Sequence, residues 1–126
     1  MKKTINTPNS PAPIGPYNQA ILAGNTLYTS GQIALHPITM ELVLDTIEAE
    51  TFQVMHNLNA VLNAADMNFE DVVKATIFIT DMTDFETINK VYATFFHTDF
   101  APARETVQVA ALPKGVHVEI SVIAIK

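Results

Sequence analysis

The stretch VVKATIFITDMTDFETINKVYATFF, residues 72–96, holds a predicted strand that runs directly into a predicted helix. Residues 72–80 are rich in β-branched side chains, and apolar residues on one face alternate with the rest, as in a half-buried strand. The alternating apolar residues are Val73, Ala75, Ile77 and Ile79. Thr83 and Glu86 then have the spacing of a capping box. The inner side of the predicted helix carries Phe85, Ile88, Tyr92 and Phe95.

A second helix is predicted upstream of this strand. Asp45 and Glu48 have the spacing of an N-terminal capping signature. Apolar side chains then recur at intervals that place them on one face of a helix. They are Val54, Met55, Leu58, Val61, Leu62 and Ala65. The segment therefore predicts an amphipathic helix with one buried face.

Further strands are predicted near both ends of the chain. Residues 20–23 and 26–33 flank a Gly-Asn pair, which is typical of a β-hairpin turn. Near the carboxyl end, strands are predicted at about 104–111 and 116–125, separated by the sequence Leu-Pro-Lys-Gly at 112–115. Proline and glycine at these positions favour a reversing turn, so these strands are predicted to form a second hairpin.

The predicted element order is ββαβαββ within a single domain, residues 1–126. Helices that cross over between strands imply an α+β fold with a mixed sheet and both helices on one face. The other sheet face then lacks a cover, although it is predicted to carry Leu22, Phe78 and Ile123. Because this is too much apolar surface to leave in water, we expect another copy of the chain to cover it. Counting layers predicts an oligomer but not its number of subunits.

Composition argues against several classes of function. Seven basic residues face thirteen acidic ones, giving a net charge of −6, and no basic stripe is available to neutralise phosphates. Nucleic acid is therefore not expected as the main ligand. No run of about 20 apolar residues suggests a membrane span. The chain contains no cysteine, which excludes thiolate nucleophiles, disulfides and cysteine-based metal sites. Because disulfides are absent, we expect a cytoplasmic protein.

Metal and cofactor signatures are also missing. The four histidines are neither spaced at i, i+4 on a helix nor grouped with carboxylates at ligand spacing, so no metal site is expected. The four glycines form neither a phosphate-binding loop nor a dinucleotide fingerprint. We therefore expect neither a histidine metal site nor a nucleotide cofactor held by such a motif.

Arg104, the only arginine, stands at the head of an apolar run and needs a partner, because an unpaired buried charge is costly. If the last hairpin turns at 113–114, Glu119 lies opposite Gln108, on the same side of the pleat as Arg104 and about 13 Å from it. A guanidinium binds a carboxylate through two hydrogen bonds, and a glutamate can hold or deprotonate a water. The pair predicts hydrolysis of a small carboxylate substrate. A structural ion pair that closes the hairpin is the alternative.

Five motifs, in their order and spacing, resemble the RidA family, also called the YjgF family. They are IGPYNQA, LYTSGQI, VVKATIFITDMTDFETINKVYATFF, PAR and LPKGVHVEISVIAI, and together they cover nearly the whole chain. The resemblance implies a chorismate-mutase-like fold and a homotrimer with a cleft at each subunit interface. It also implies hydrolysis, without a cofactor, of 2-imino acids and their enamine tautomers, such as 2-iminobutanoate and 2-iminopropanoate. The products would be 2-oxo acids and ammonia.

The resemblance assigns two catalytic residues. Arg104 would clamp the substrate carboxylate, and Glu119 would position the attacking water and shuttle protons.

The resemblance also implies a set of substrate-binding residues. They are Tyr17, Ser30, Gly31, Asn89 and Thr106. Ser30 and Gly31 would border the pocket, Tyr17 would close it from a neighbouring subunit, and Asn89 on the second helix would support it. Taken without the resemblance, Ser30 fits equally well as a turn hydroxyl, and Tyr17 and Asn89 as packing residues.

The sequence departs from the family pattern at several positions. Thr106 stands where cysteine is common, so no thiol takes part, and Glu105 replaces a usually small residue but should point away from Arg104. The loop HPITMEL lacks a common glycine, and Asp66 replaces another after the first helix, where aspartate tolerates a left-handed conformation. The first two departures bear on specificity and the others on folding.

Two other functions compete with an imine deaminase. A non-catalytic module that binds small carboxylates would need Arg104 but has no use for a water-activating Glu119. An RNA-cleaving translation inhibitor, also proposed within the family, fits poorly with a net charge of −6 and one arginine.

Overall fold

A computed structural model describes all 126 residues as a six-stranded sheet with two helices against it. The strands are β1 Lys2–Ile5, β2 Ala20–Ala23, β3 Thr26–Thr29, β4 Val72–Ile79, β5 Ala103–Gln108 and β6 Val118–Ile125. The helices are α1 Ile47–Ala64 and α2 Phe85–Ala93. The order across the sheet is β1-β2-β3-β6-β4-β5. Only β4 and β5 are parallel, so the predicted α+β fold with a mixed sheet is confirmed.

Strand β1 is an element that the sequence pattern did not predict. It pairs antiparallel with β2, and Ile5 faces Ala20. Three of its four residues are exposed, so no hydrophobic alternation marks the strand. Its place depends on pairing with a segment more than ten residues away rather than on a local signal.

Strand β4 lies between β5 and β6, so the predicted hairpin of the last two strands is wrong. Residues 109–117 carry the chain past the end of β4 instead of folding β6 back onto β5. Two backbone hydrogen bonds fix this path: Val109 N–H donates to the Ile79 carbonyl at 2.8 Å, and Thr80 N–H donates to the His117 carbonyl at 3.1 Å. Each of the last two strands therefore pairs with β4 and not with the other.

This strand order also decides which face each side chain takes. Ala75 aligns with Arg104 on β5, and Ala75 is buried on the side of the helices, which we call the helix face. Phe78 aligns with Glu119 on β6 and points to the other side, the open face. The expectation that Arg104 and Glu119 share one side of the pleat is therefore wrong, because it assumed a hairpin that does not form.

A bulge in β4 corrects another expectation. The register between β4 and β6 shifts between Val72 and Lys74. As a result Val72 is buried, whereas Val73, predicted to face the core, is 44% exposed. The remaining predicted core positions of the strand, Ala75, Ile77 and Ile79, are buried.

Both helices begin differently from the predicted signatures. Thr46, not Asp45, caps α1, and its hydroxyl accepts a hydrogen bond from the Ala49 N–H at 3.0 Å. Ahead of α2 a short 3-10 turn begins at Asp81, whose carboxylate accepts from the Thr83 N–H at 2.9 Å. Thr83 is engaged there and does not cap α2, so the Thr83–Glu86 capping box is wrong. Three residues of the predicted inner side lie there: Ile88 and Tyr92 are buried, and Phe85 packs against the core. Phe95 also packs against the core but lies beyond the end of the helix at Ala93.

The open face of the sheet carries a group of apolar side chains. They are Ile21, Tyr28, Phe78, Val107, Ile123 and Ile125. Tyr28 is 49% exposed, and Val107 and Ile125 are each 43% exposed. Phe78 and Ile123 lie where they were predicted. Leu22 does not, because it pairs with Leu27 and packs against the core on the helix face.

Neither helix combines the length and the apolar character that crossing a membrane requires.

Candidate functional site

Glu119 lies on the open face beside a cavity of about 500 Å³, which we call the Glu119 pocket. Four of the predicted site residues line it: Tyr17, Ser30, Gly31 and Glu119. Lys114 lines the same cavity, and Ile14, Ile33 and Leu35 supply apolar walls. The pocket therefore combines one carboxylate and one ammonium group with a largely apolar lining.

Gly31 leaves the space that the Glu119 carboxylate occupies. Gln32 and Ile120 exchange two backbone hydrogen bonds, at 2.8 and 3.1 Å, which set Gly31 beside Glu119. A Cβ atom added at Gly31 would lie 2.5 Å from Glu119 Oε2 and 2.7 Å from its Cδ. Any side chain at position 31 would therefore displace the carboxylate.

Burial changes the acidity of Glu119. Loss of contact with water raises the pKa of this carboxyl above its ordinary value, because desolvation disfavours the charged form. A carboxylate with a raised pKa is a stronger base when ionised and is easier to reprotonate. Both properties suit a group that takes a proton and returns it.

Ser30 and Tyr17 shape the wall of the same pocket. Ser30 Oγ donates to the Asn18 carbonyl at 2.6 Å, so the hydroxyl anchors the segment that carries Tyr17. The Tyr17 hydroxyl accepts from the Ile14 N–H at 3.2 Å, and Tyr17 is 47% exposed. Within one chain Tyr17 lies in the pocket of its own Glu119. Tyr17 was predicted to close the site from a neighbouring subunit. That arrangement is possible only for a site whose Arg104 belongs to a different subunit from its Tyr17 and Glu119.

Arg104 lies on the helix face in a different cluster, formed with Phe85, Asn89 and Tyr92. Its Nη1 donates to Asn89 Oδ1 at 2.7 Å. The guanidinium carbon is 5.0 Å from the ring centroid of Tyr92 and 5.7 Å from that of Phe85. Such contacts stabilise a cation against aromatic faces. A guanidinium has five N–H donors, and Asn89 engages only one side of it.

No carboxylate of the chain pairs with Arg104. The two acid–base pairs in the structure are Lys74 with Glu105 and His117 with Glu50. A structural ion pair closing a hairpin is therefore wrong as an explanation of Arg104. Its remaining donors suit a carboxylate that the chain itself does not supply.

Thr106 and Tyr92 add polar atoms on the same side of the sheet as Arg104. Thr106 aligns with the buried Ile77, so it shares the helix face with Arg104. Thr106 Oγ1 and the Tyr92 hydroxyl are both buried without a hydrogen-bond partner in the chain. Burial raises the pKa of Tyr92 to about 12, although the nearby Arg104 charge opposes this shift. Tyr92 therefore stays protonated near neutral pH and is no candidate for a general base.

Glu105 points to the open face, away from Arg104, as expected. It accepts from Thr76 Oγ1 at 2.6 Å and pairs with Lys74 Nζ at 2.9 Å. The hydrogen bond from Thr76, followed by that from Lys74, lowers the pKa of Glu105. Glu105 is thus engaged outside the Arg104 cluster.

The predicted site residues therefore form two groups on opposite faces of the sheet. One group is Tyr17, Ser30, Gly31 and Glu119, and the other is Asn89, Arg104 and Thr106. Strand β4 separates the strand that carries Arg104 from the strand that carries Glu119. A single chain does not bring the two catalytic candidates to one substrate.

The sequence reasoning missed two residues near these groups. Lys114 lines the Glu119 pocket from a left-handed backbone conformation, with φ of 58°, that nothing in the sequence signals. Glu50 is wholly buried and accepts hydrogen bonds beside Glu119. Its position four residues before Val54, on the apolar stripe of α1, was a signal that could have found it.

Comparison with known proteins settles the family. Residues 7–126 match the family described as endoribonuclease L-PSP. The 2-iminobutanoate/2-iminopropanoate deaminase of Bos taurus is 45% identical over 126 residues, covering 100% of this chain and 91% of the bovine protein. This chain belongs to the endoribonuclease L-PSP family, the YjgF/RidA family. The resemblance drawn from the motifs is thereby confirmed.

Solved structures of relatives agree with the fold. A putative endoribonuclease from Thermotoga maritima superposes with a TM-score of 0.97 at 47% identity, covering 100% of this chain and 98% of that one. E. coli TdcF with bound serine superposes with a TM-score of 0.92 at 43% identity, covering 98% of each chain.

The contact between Gly31 and Glu119 gives a prediction for this RidA-family chain. Gly31→Ala should leave the fold intact, because the flexible end of Glu119 can move aside, but it should displace the carboxylate. We expect any hydrolysis in which Glu119 acts as the base to slow by about 10- to 100-fold, the scale on which a displacement of about 1 Å acts. The double variant with Glu119→Gln should be no slower than Glu119→Gln alone, because both changes act through one carboxylate. Additive losses in stopped-flow assays would contradict this.

Proposed function

We propose that this protein is a cofactor-independent deaminase of reactive 2-imino acids and their enamine tautomers. Its substrates would include 2-iminobutanoate and 2-iminopropanoate, and its products would be the 2-oxo acids and ammonia. Two charged groups together carry the proposal: a half-buried carboxylate in a cavity of about 500 Å³, and a guanidinium with no acid partner in its own chain. The activity for which the bovine relative is named supports the same chemistry.

Arg104 would bind the substrate carboxylate. Asn89 and the ring of Tyr92 hold the guanidinium in one orientation, so its planar fork is set before the ligand arrives. Two parallel N–H···O bonds fix both the position and the rotation of a carboxylate. Thr106, on the same face two residues along the strand, has a hydroxyl without a partner in the chain and could contact the same group.

Glu119 would manage the protons of the hydrolysis. It accepts a hydrogen bond from a water, which attacks the carbon of the protonated imine, and takes a proton as the new C–O bond forms. It then returns that proton to the nitrogen, the C–N bond breaks, and ammonia leaves with the electron pair of that bond. Glu119, again a carboxylate, takes the remaining hydroxyl proton as the 2-oxo group forms and passes it to the departing ammonia. The raised pKa of Glu119 supports both directions of transfer.

The active unit would be a homotrimer with a site at each subunit interface. Arg104 and Glu119 lie on opposite sides of their own sheet, so a shared substrate needs Arg104 of one subunit and Glu119 of the next. The apolar residues of the open face supply surface that such an assembly would cover. A cytoplasmic location, expected from the sequence, stays a prediction.

The competing functions use parts of the same arrangement. A carboxylate-binding regulatory module would use Arg104 and leave the desolvated Glu119 without a purpose. An RNA-cleaving activity would require this chain, which has a net charge of −6 and one arginine, to bind a polyanion. The deaminase uses both catalytic groups, and we favour it on that ground.

Arg104→Lys should lose most of the activity while folding normally, because lysine keeps the charge but not the two-pronged hydrogen bonding. Calorimetry with the product 2-oxobutanoate should show binding to the parent and little to the variant. Lys90→Arg, the reverse exchange at an exposed position on α2, is the matched control and should change neither quantity. Full activity in Arg104→Lys would exclude this role for Arg104.

Glu119→Gln should bind 2-oxobutanoate as the parent does, yet hydrolyse imines about 10²- to 10⁴-fold more slowly, the usual contribution of a positioned acid or base. Imine would be generated in situ, and the uncatalysed rate in buffer subtracted. Glu86→Gln, at an exposed position, is the matched control. A parent that binds 2-oxobutanoate but hydrolyses imines only at the background rate would favour the regulatory module instead.

The pH dependence provides a separate test of Glu119. The group must be ionised to act as a base, so activity should be present above its pKa and fall as the pH drops through it. Because burial raises that pKa, the acid limb of kcat/KM should lie above the ordinary range of a glutamate. The residual activity of Glu119→Gln should lack this limb. The same limb in parent and variant would assign it to another group.

Mixing inactive subunits tests the shared site. Arg104→Lys and Glu119→Gln subunits, unfolded and refolded together in equal amounts, should regain about one quarter of the parent activity, because half of the sites receive an intact Arg104 and half of those an intact Glu119. Each variant refolded alone is the control. A mixture as inactive as its components, with native mass spectrometry showing mixed trimers, would place both groups within one subunit. A stable monomer would exclude the trimer.

A further inference from the structure

Glu50 is the one charged side chain among the buried residues of the chain. It belongs to the first turn of α1 and is 0% exposed. The other buried polar residues are all neutral: Ser10, Gln19, Gln32, Thr51 and Asn57. A carboxylate out of contact with water is costly unless hydrogen bonds compensate it, so its partners show what the charge is used for.

All the hydrogen bonds of the Glu50 carboxylate go to one short segment. Its Oε2 accepts from the backbone N–H of His117 at 2.7 Å and of Val118 at 3.1 Å. Its Oε1 lies 2.8 Å from His117 Nδ1. A carboxylate only accepts hydrogen bonds, so this contact makes Nδ1 the protonated ring nitrogen. Three donors of residues 117–118 thus meet two oxygens of a single side chain on α1.

This segment joins the two charged groups of the Glu119 pocket. The turn that carries Lys114 ends at Gly115, and Glu119 follows Val118 directly. On the other side, the His117 carbonyl accepts from the Thr80 N–H at the end of β4. Residues 117–118 are therefore held between α1 and the end of β4, immediately before the catalytic carboxylate.

We infer that Glu50 is a positioning residue for Glu119: it fixes the start of β6, and with it the carboxylate and the Lys114 turn, relative to Gly31. This inference rests on the proposed deaminase function. Gly31 limits where the Glu119 carboxylate can lie, and Glu50 limits where its backbone can lie. Removing either restraint lets the base leave the position at which it meets a water and a bound imine.

The test compares variants of Glu50 with a control on the same helix. Glu50→Ala leaves three donors without their acceptor, and we expect kcat to fall by about 10- to 100-fold while KM stays within about 3-fold, because Arg104 still holds the carboxylate. Glu50→Gln keeps one oxygen for the backbone donors and should lose about 3- to 10-fold, less than Glu50→Ala. Glu48→Ala, exposed in the same turn, should match the parent.

The pH profile separates positioning from a general loss of stability. If Glu119 becomes better hydrated when its backbone loosens, the acid limb of kcat/KM in Glu50→Ala should move to lower pH. A variant that is merely less stable would keep the parental limb. His117→Ala, which removes the ring but keeps both backbone donors, should show a smaller loss of kcat than Glu50→Ala.

Several outcomes would overturn the inference. A folded Glu50→Ala with parental kcat and acid limb would do so, as would a loss confined to KM. If Glu50→Ala does not fold, a parental kcat in Glu50→Gln would overturn it instead.

If the parent itself shows no deaminase activity, the proposed function fails separately, and amide hydrogen exchange of residues 117–119 then decides the inference. Faster exchange in Glu50→Gln than in Glu48→Ala would support the restraint, and equal exchange would overturn it.

Discussion

The position of β4 between a parallel β5 and an antiparallel β6 is the constraint on which the rest of the structure depends. Because side chains alternate along a strand, the two registers place Arg104 with Ala75 on the helix face and Glu119 with Phe78 on the open face. Each group then acquires a suitable environment. The helix face gives the guanidinium aromatic rings and an amide oxygen, and the open face gives the carboxylate a cavity. The same separation keeps either group from neutralising the other within the chain.

The environment of Glu119 is restrained from several directions. Gly31 has no side chain to push the carboxylate away, and the backbone pairing of Gln32 with Ile120 keeps Gly31 there. Glu50 fixes the backbone just before Glu119 through a buried carboxylate. These restraints hold a half-buried carboxyl whose pKa is raised by burial, so once the pH is above its ordinary pKa this group lowers the stability of the fold. Such a loss is expected where the group performs chemistry and is hard to explain where it only packs.

The sequence predicted the fold well where local pattern governs it. The hairpin of β2 and β3, the strand β4 and both helices follow from turn residues and hydrophobic periodicity. It failed where strand order governs, because the turn residues at 113–115 specify a local bend and not the strand that β6 pairs with. Arg104 and Glu119 were singled out from charge and spacing, and the family resemblance added the other five proposed site residues, but the division of all seven between two faces depended on that strand order. Glu50 was missed because its carboxylate is hydrogen-bonded to His117, a residue far away in the sequence.

The two groups of site residues also suggest why activity and assembly would be coupled. The half-buried guanidinium of Arg104 and the half-buried carboxylate of Glu119 each lack an oppositely charged partner within the chain. Placing Arg104 of one subunit near Glu119 of the next would compensate both, while a small carboxylate bound between them would satisfy the fork of the arginine. The apolar residues of the open face would supply most of the free energy of association, because the burial of apolar surface is the dominant driving force when proteins associate. The charged groups would then decide what binds at the interface and contribute little to whether the interface forms.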